Sequence, residues 1–119
     1  MLTPRKLTLH QQAVLIQVLL VFPGQHVDVC YDPAASDALA YAQNFFAIFK
    51  VIGWTVHAPS ARAVRPGLSF VVTGQDMLPP SAEALRDALR IYGIEVATGC
   101  DPGRETTSAD FVLAIGSEA

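Results

Sequence analysis

The chain has 119 residues, of which 51% are hydrophobic and 16% are charged, and its formal net charge is -3. This length allows one domain spanning residues 1–119 with a single core, and leaves no room for a second domain. The acidic balance provides no basic field for a phosphate backbone, which argues against nucleic acid as a partner. The low charged fraction predicts apolar surface left over after folding, and therefore self-association.

The first predicted element is an apolar helix. Thr8 followed three residues later by Gln11 forms a capping box, and the residues from Ala13 to Phe22 are apolar except for Gln17. Their β-branched members leave a strand open as an alternative, although the apolar residues are consecutive rather than alternating. A bilayer span needs about 20 residues, so the run from Ala13 to Phe22 is too short to cross a membrane. We expect it to be a buried helix that is not removed as a signal peptide. We also expect this helix to contribute to a homodimer.

A strand–helix–strand unit follows this helix. Its first strand alternates apolar and polar residues, and its helix has two candidate caps, Asp32 before Pro33 and Ser36. Gly53 stands where a C-terminal cap is expected. The predicted elements are a strand at His26–Tyr31, a helix ending at Ile52 and a strand at residues 54–58.

A second unit repeats this order further along the chain. A nearly continuous apolar run at residues 68–73 predicts a central strand covered on both faces, and Ser81 can cap the helix that follows. Gly93 closes that helix before strands at 94–97 and Phe111–Ile115. The predicted fold is an α/β sandwich of two or three layers, flavodoxin-like or related, with a mostly parallel sheet of four to five strands in the order helix-βαβ-βαβ-β.

Several turns and caps recur along the chain: Leu2-Thr3-Pro4 before the first helix, Pro23-Gly24-Gln25, Gly53-Trp54-Thr55-Val56 and the second unit through Gly93. Their order resembles that of a soluble α/β domain found in uncharacterised bacterial proteins, where it often follows a membrane anchor. The resemblance covers nearly the whole chain and implies no activity. It implies either a cytoplasmic protein or the soluble part of a membrane-anchored one, and the presence of only two cysteines fits a reducing compartment.

Ligands of open α/β sheets collect beyond the carboxyl ends of the strands, and polar residues at those ends are the candidate site. For Asp32 and Ser36, helix capping is a sufficient alternative explanation. The predicted ligand-binding set is Asp32, Ser36, Thr73, Gln75, Asp76 and Ser117, drawn from a wider group that includes Asp37, Gly74, Thr98, Asp101 and Gly116.

Catalytic and cofactor signatures are missing from the sequence. No glycine-rich phosphate loop joins a strand to a helix, and the three histidines are poorly placed for a hydrolytic triad. His26, Asp28 and Cys30 share one strand face and could hold a metal, but helices packed on that face would cover them. We therefore predict no metal and no cofactor.

Three functions stay open. The favoured one is a non-enzymatic module that senses a small ligand or contacts a protein partner. The second is a small hydrolase or transferase that uses Asp32 or Asp76 as an acid or base, which a raised carboxylate pKa would support. The third is a structural dimerisation domain.

Overall fold

The computed structural model describes residues 5–72, 78–100 and 110–117. Within these ranges the chain forms three helices and six strands. In chain order they are α1 (Leu9–Leu19), β1 (His26–Tyr31), α2 (Ala38–Val51), β2 (Thr55–Val56), β3 (Ser60–Ala61), β4 (Leu68–Val72), α3 (Pro80–Ile91), β5 (Val96–Cys100) and β6 (Phe111–Ile115).

The strands form one mixed sheet in the order β2-β1-β6-β4-β5, and β3 pairs with β1 on the side that β6 does not occupy. Four of the pairings are parallel and only the pairing of β4 with β6 is antiparallel. A mostly parallel α/β sheet is therefore confirmed. The strand order differs from the flavodoxin-like order of 2-1-3-4-5, and β3 makes a sixth strand between the strands predicted at 54–58 and 68–73.

All three helices contribute to one core on a single face of the sheet, here called the helix face. The strands contribute alternate residues to it, including Val27 and Val29 of β1 and Phe70 of β4. Aromatic rings fill much of this core. Phe49 of α2 stacks on Trp54 with ring centroids 5.3 Å apart, and Phe70 meets Phe111 edge-on at 5.2 Å.

The capping box that starts α1 is confirmed. The Thr8 hydroxyl accepts a hydrogen bond from the Gln11 amide at 3.1 Å, and the Gln11 side chain accepts one from the Thr8 amide at 2.9 Å. The helix buries Leu15 and Leu19 against the core and packs against α2 and α3. It ends at Leu19, before the end of the apolar run at Phe22, and no described helix has the length and apolar character to cross a membrane.

The predicted N-terminal caps of the other two helices are wrong. α2 begins at Ala38, and Asp32 instead accepts a hydrogen bond from the Ala34 amide at 2.9 Å, which closes a local turn. Ser36 lies before the cap position, which Asp37 occupies without capping through its side chain. α3 begins at Pro80, so that Ser81 lies inside the helix, where its buried hydroxyl donates to Gln25 Oε1 at 2.8 Å.

The opposite face of the sheet, here called the open face, carries no described helix. Its apolar residues form a small separate cluster of Cys30, Val112 and Ala114, against which Val64 and Val71 pack. Val64 belongs to the cover segment, residues 62–66, which connects β3 to β4 across this face. Among the described residues, the open face is therefore covered by one irregular stretch of backbone.

Gly116 fixes the end of the cover segment against β6. A Cβ atom at Gly116 would overlap the Arg65 carbonyl oxygen and lie 2.8 Å from the Arg65 carbonyl carbon. Two backbone hydrogen bonds hold the same approach, from the Gly116 amide to the Gly67 carbonyl at 2.9 Å and from the Gly67 amide to the Ser117 carbonyl at 2.8 Å. Only glycine allows this close contact between the two backbones.

Candidate functional site

A cleft of about 490 Å³ lies on the open face between the sheet and the cover segment. Strands β1, β4, β5 and β6 provide its floor, and the cover segment provides its wall. Its lining residues are Cys30, Arg62, Ala63, Val64, Arg65, Ser69, Val71, Thr98, Gly99 and Ala114.

The charged side chains of this lining are both arginines. Arg62 and Arg65 are exposed, and the described lining contains no carboxylate that could neutralise them. The guanidinium of Arg65 lies close to β5, because its Nη2 atom is 3.3 Å from the position that a Cβ atom on Gly99 would take. The described lining is therefore electropositive and suits an anionic group.

Regular pairing with β1 positions the first of these arginines. The Arg62 amide donates to the Tyr31 carbonyl at 2.9 Å, continuing the parallel register in which Tyr31 lies opposite Ala61. The chain then leaves the edge of the sheet and crosses the open face, with Val64 packed on the apolar cluster below it. The segment that carries both arginines is thus held by the Arg62–Tyr31 hydrogen bond at its start, by Val64 at its middle and by the contact with Gly116 at its end.

The predicted site residues near the ends of β1 and β6 have structural partners. Asp37 accepts hydrogen bonds from the Arg5 backbone amide at 2.9 Å, from Arg5 Nε at 3.0 Å and from Arg5 Nη2 at 2.9 Å. The same Nη2 atom donates to the Gly116 carbonyl at 2.6 Å. These hydrogen bonds from Arg5 lower the pKa of Asp37 to about 2, against the opposing effect of burial. The pair joins the residues before α1 to the start of α2 and the end of β6.

The topology separates the predicted ligand-binding set into two groups. Asp32, Ser36 and Ser117 follow the carboxyl ends of β1 and β6, at one end of the sheet. Because β4 runs antiparallel to β6, the carboxyl end of β4 lies at the opposite end of the sheet, where β6 begins. The residues predicted to complete the site there, Thr73, Gly74, Gln75 and Asp76, lie outside the described residues, as does Asp101. Thr98, from the wider group, lies in β5 and lines the cleft.

A second group of polar side chains lies further along the open face. His57 Nδ1 is 3.4 Å from Asp28 Oδ1, and His26 Nε2 is 3.8 Å from the same oxygen. Metal binding on this face was predicted to fail because helices would cover β1. The described helices all pack on the other face, so this objection does not hold. Cys30, the third residue of the predicted group, is buried and lines the cleft instead.

Arg62 and Arg65 were missed as site residues because they fall in a segment without periodicity, where arginine usually faces solvent. The only available indication was their spacing of three residues in a loop that also contains Pro66 and Gly67. Comparison with protein-family models, with curated proteins and with solved structures finds no match for this chain.

Proposed function

We propose that the protein is a non-enzymatic module that binds a small anionic ligand in the open-face cleft. The observation that carries this proposal is the pair Arg62 and Arg65 on the wall of a cleft whose described lining has no carboxylate. A volume of about 490 Å³ lies within the range of small-molecule sites, roughly 300–1,000 Å³. Guanidinium groups offer paired donors that match a carboxylate or a phosphate.

The rest of the lining favours binding over turnover. Val71 and Ala114 provide an apolar floor for the uncharged part of a ligand, and Ser69 adds a hydroxyl. The described lining contains no histidine and no carboxylate, which are the usual general acids and bases. The alternative of a hydrolase or transferase relies on Asp32 or on Asp76. The Asp32 carboxylate accepts a hydrogen bond from the Ala34 amide, and Asp76 lies outside the described residues.

The test is a thermal-shift screen with phosphate, pyrophosphate, citrate and adenosine monophosphate as probes. A ligand at about 100 times its Kd adds roughly 2.7 kcal/mol, which raises the Tm of a domain of this size by several degrees. We expect at least one probe to do so in the wild type and to lose the effect in the double variant Arg62→Gln/Arg65→Gln.

The matched control removes the same charge on a helix away from the cleft. The double variant Arg86→Gln/Arg90→Gln lies on α3, where both arginines neighbour Asp87. The control should keep the full shift with every probe that binds. A shift that survives in the cleft variant, or no shift with any probe, would contradict the proposal.

A homodimer through α1 is a second proposal, supported by an apolar stripe on the outer side of this helix. Leu9 and Leu20 are 85% and 56% exposed. They are eleven residues apart, about three helical turns, so they lie on one line of the helix with exposed Ala13 between them. Light scattering should give twice the chain mass for the wild type and the single mass for Leu9→Gln/Leu20→Gln. A monomeric wild type would refute the dimer without affecting the cleft.

A further inference from the structure

We propose that His26, Asp28 and His57 form a binding site for a divalent transition-metal ion on the open face, outside the anion cleft. Two of the residues lie on β1, and the third directly follows the neighbouring strand β2. His26 and Asp28 are two residues apart on β1 and therefore share a face. β2 pairs with β1 so that Val56 lies opposite Val27, which brings His57, the next residue, level with Asp28.

The distances between the side chains are close to those of a coordination sphere. One ligand atom from each residue lies within 4.8 Å of the other two. Ligands bonded at about 2.0–2.1 Å to a tetrahedral Zn²⁺ are about 3.3 Å apart. The Asp28 oxygen already lies 3.4 Å from His57 Nδ1, so that contact is at the required separation.

To complete the coordination sphere, the imidazole nitrogens of His26 and His57 must come closer together. The side chain that can move is the most exposed of the three. The side chain of His57 is 73% exposed, whereas those of Asp28 and His26 are 29% and 20% exposed. His57 can therefore rotate to bring the two imidazole nitrogens together, while β1 holds the other two ligands. The two imidazole rings already face one another obliquely, with centroids 5.5 Å apart.

The donor set selects the class of ion. Two imidazole nitrogens and one carboxylate oxygen suit Zn²⁺, Co²⁺, Ni²⁺ or Cu²⁺, whereas Ca²⁺ and Mg²⁺ prefer oxygen ligands throughout. Three protein ligands leave at least one coordination position for water or a small ligand. No described helix packs on this side of the sheet.

The site is independent of the anion cleft. None of its three residues lines the cleft, although Cys30, which does, follows Asp28 by two residues on the same strand. Loss of metal binding would therefore leave the cleft proposal intact, and the reverse also holds.

The experiment is a Zn²⁺ titration of tag-free, metal-free protein in competition with a coloured chelator. We expect one ion per chain, and an affinity that falls at least about tenfold in His57→Ala and in Asp28→Asn, because loss of a ligand should cost no less than loss of an outer-sphere partner. His10→Ala is the matched control, since His10 lies exposed on α1, and it should keep the wild-type affinity. Circular dichroism of each variant checks folding.

The three histidines of the chain also provide an internal readout by nuclear magnetic resonance. Addition of Zn²⁺ should shift the ring resonances of His26 and His57 and leave those of His10 unchanged, and Co²⁺ should broaden the same two. The inference is wrong if all three rings respond alike. It is also wrong if binding survives in His57→Ala and disappears in Cys30→Ser or Cys100→Ser, which would place the ion on a thiol.

Discussion

The helix face of the sheet carries Val27 and Val29, whereas the open face carries His26, Asp28 and Cys30 from the same strand. The residues of β1 thus alternate between a core filled by three helices and a surface on which, within the described part of the chain, one short segment packs. The two faces of this one sheet therefore have different roles. One face stabilises the fold, and the other is left with ionisable side chains, a cleft and access to solvent.

The difference between the faces comes from how each is covered. A helix buries a long stripe of side chains and excludes polar partners, whereas the cover segment contributes Val64 and its backbone and leaves the arginines at the surface. Polar groups are costly on the first face and tolerated on the second.

Neighbouring residues of β4 allow the two faces to be compared directly. Phe70 is fully buried on the helix face, and Val71 is partly buried on the open face. Phe70→Ala should lower the free energy of unfolding by about 3–5 kcal/mol, because it leaves a cavity among aromatic rings. Val71→Ala should cost about 1 kcal/mol, since it removes two methyl groups beside a solvent-filled cleft. Urea denaturation of both variants measures the difference, and equal losses would contradict the contrast.

A substitution at Gly116 should displace the cover segment from the sheet without changing the helix face. Gly116→Ala places a Cβ atom against the Arg65 backbone, which should cost about 1–3 kcal/mol and speed hydrogen exchange at the Gly67 amide. Gly99→Ala is the control, because its nearest neighbour is the flexible end of the Arg65 side chain and neither glycine has a positive φ. If both variants are equally stable, the cover segment is not fixed at Gly116.

The ion pair at the edge of the helix face predicts a pH dependence of stability. The pKa of Asp37 is about 2 in the folded state and 3.8 for the ordinary side chain. Its lowered value means that its contribution is complete above about pH 5 and is lost as the pH falls through about 2. Asp37→Asn should therefore cost about 1–2 kcal/mol at neutral pH. The difference from the wild type should shrink in acid, as followed by urea denaturation, and a difference independent of pH would show that the charge is not responsible.

The smallest effect is expected at the start of α3. Ser81→Ala removes the donor to Gln25 Oε1 and should cost about 1 kcal/mol. Gln25→Ala should cost a similar amount, and the double variant should cost less than the sum, because the two residues share one hydrogen bond. Additive losses would instead support the cap that the sequence predicted.

Some elements could be predicted because their pattern is local. The limits of β1 and β6 match the structure, since each strand is a distinct run of β-type residues bounded by turn residues. The capping box at Thr8 was predictable for the same reason, as both partners lie within four residues. The β3 pairing could not be found, because two residues are too few to show an alternation.

Two polar side chains at the starts of helices take distant partners that the sequence does not reveal. Asp37 pairs with Arg5, 32 positions away, and Ser81 with Gln25, 56 positions away. No local pattern shows that such partners will compete with a helix cap. Strand direction is equally hidden, because a run such as Leu68–Val72 has the same alternation in either orientation. The expected site relied on β4 running parallel to β1, and the cleft instead formed on a face expected to be covered.

The position of β6 has a consequence for how the protein is made. β6 lies between β1 and β4, and no other described strand pairs with both halves of the sheet. A ribosome releases β1–α2–β2 and then β4–α3–β5 before residues 111–115 appear. During that interval the two halves each present an unpaired backbone edge, the kind of surface that recruits chaperones or misassociates. Completion of the sheet is thus a late folding step that depends on contacts between residues far apart in the chain.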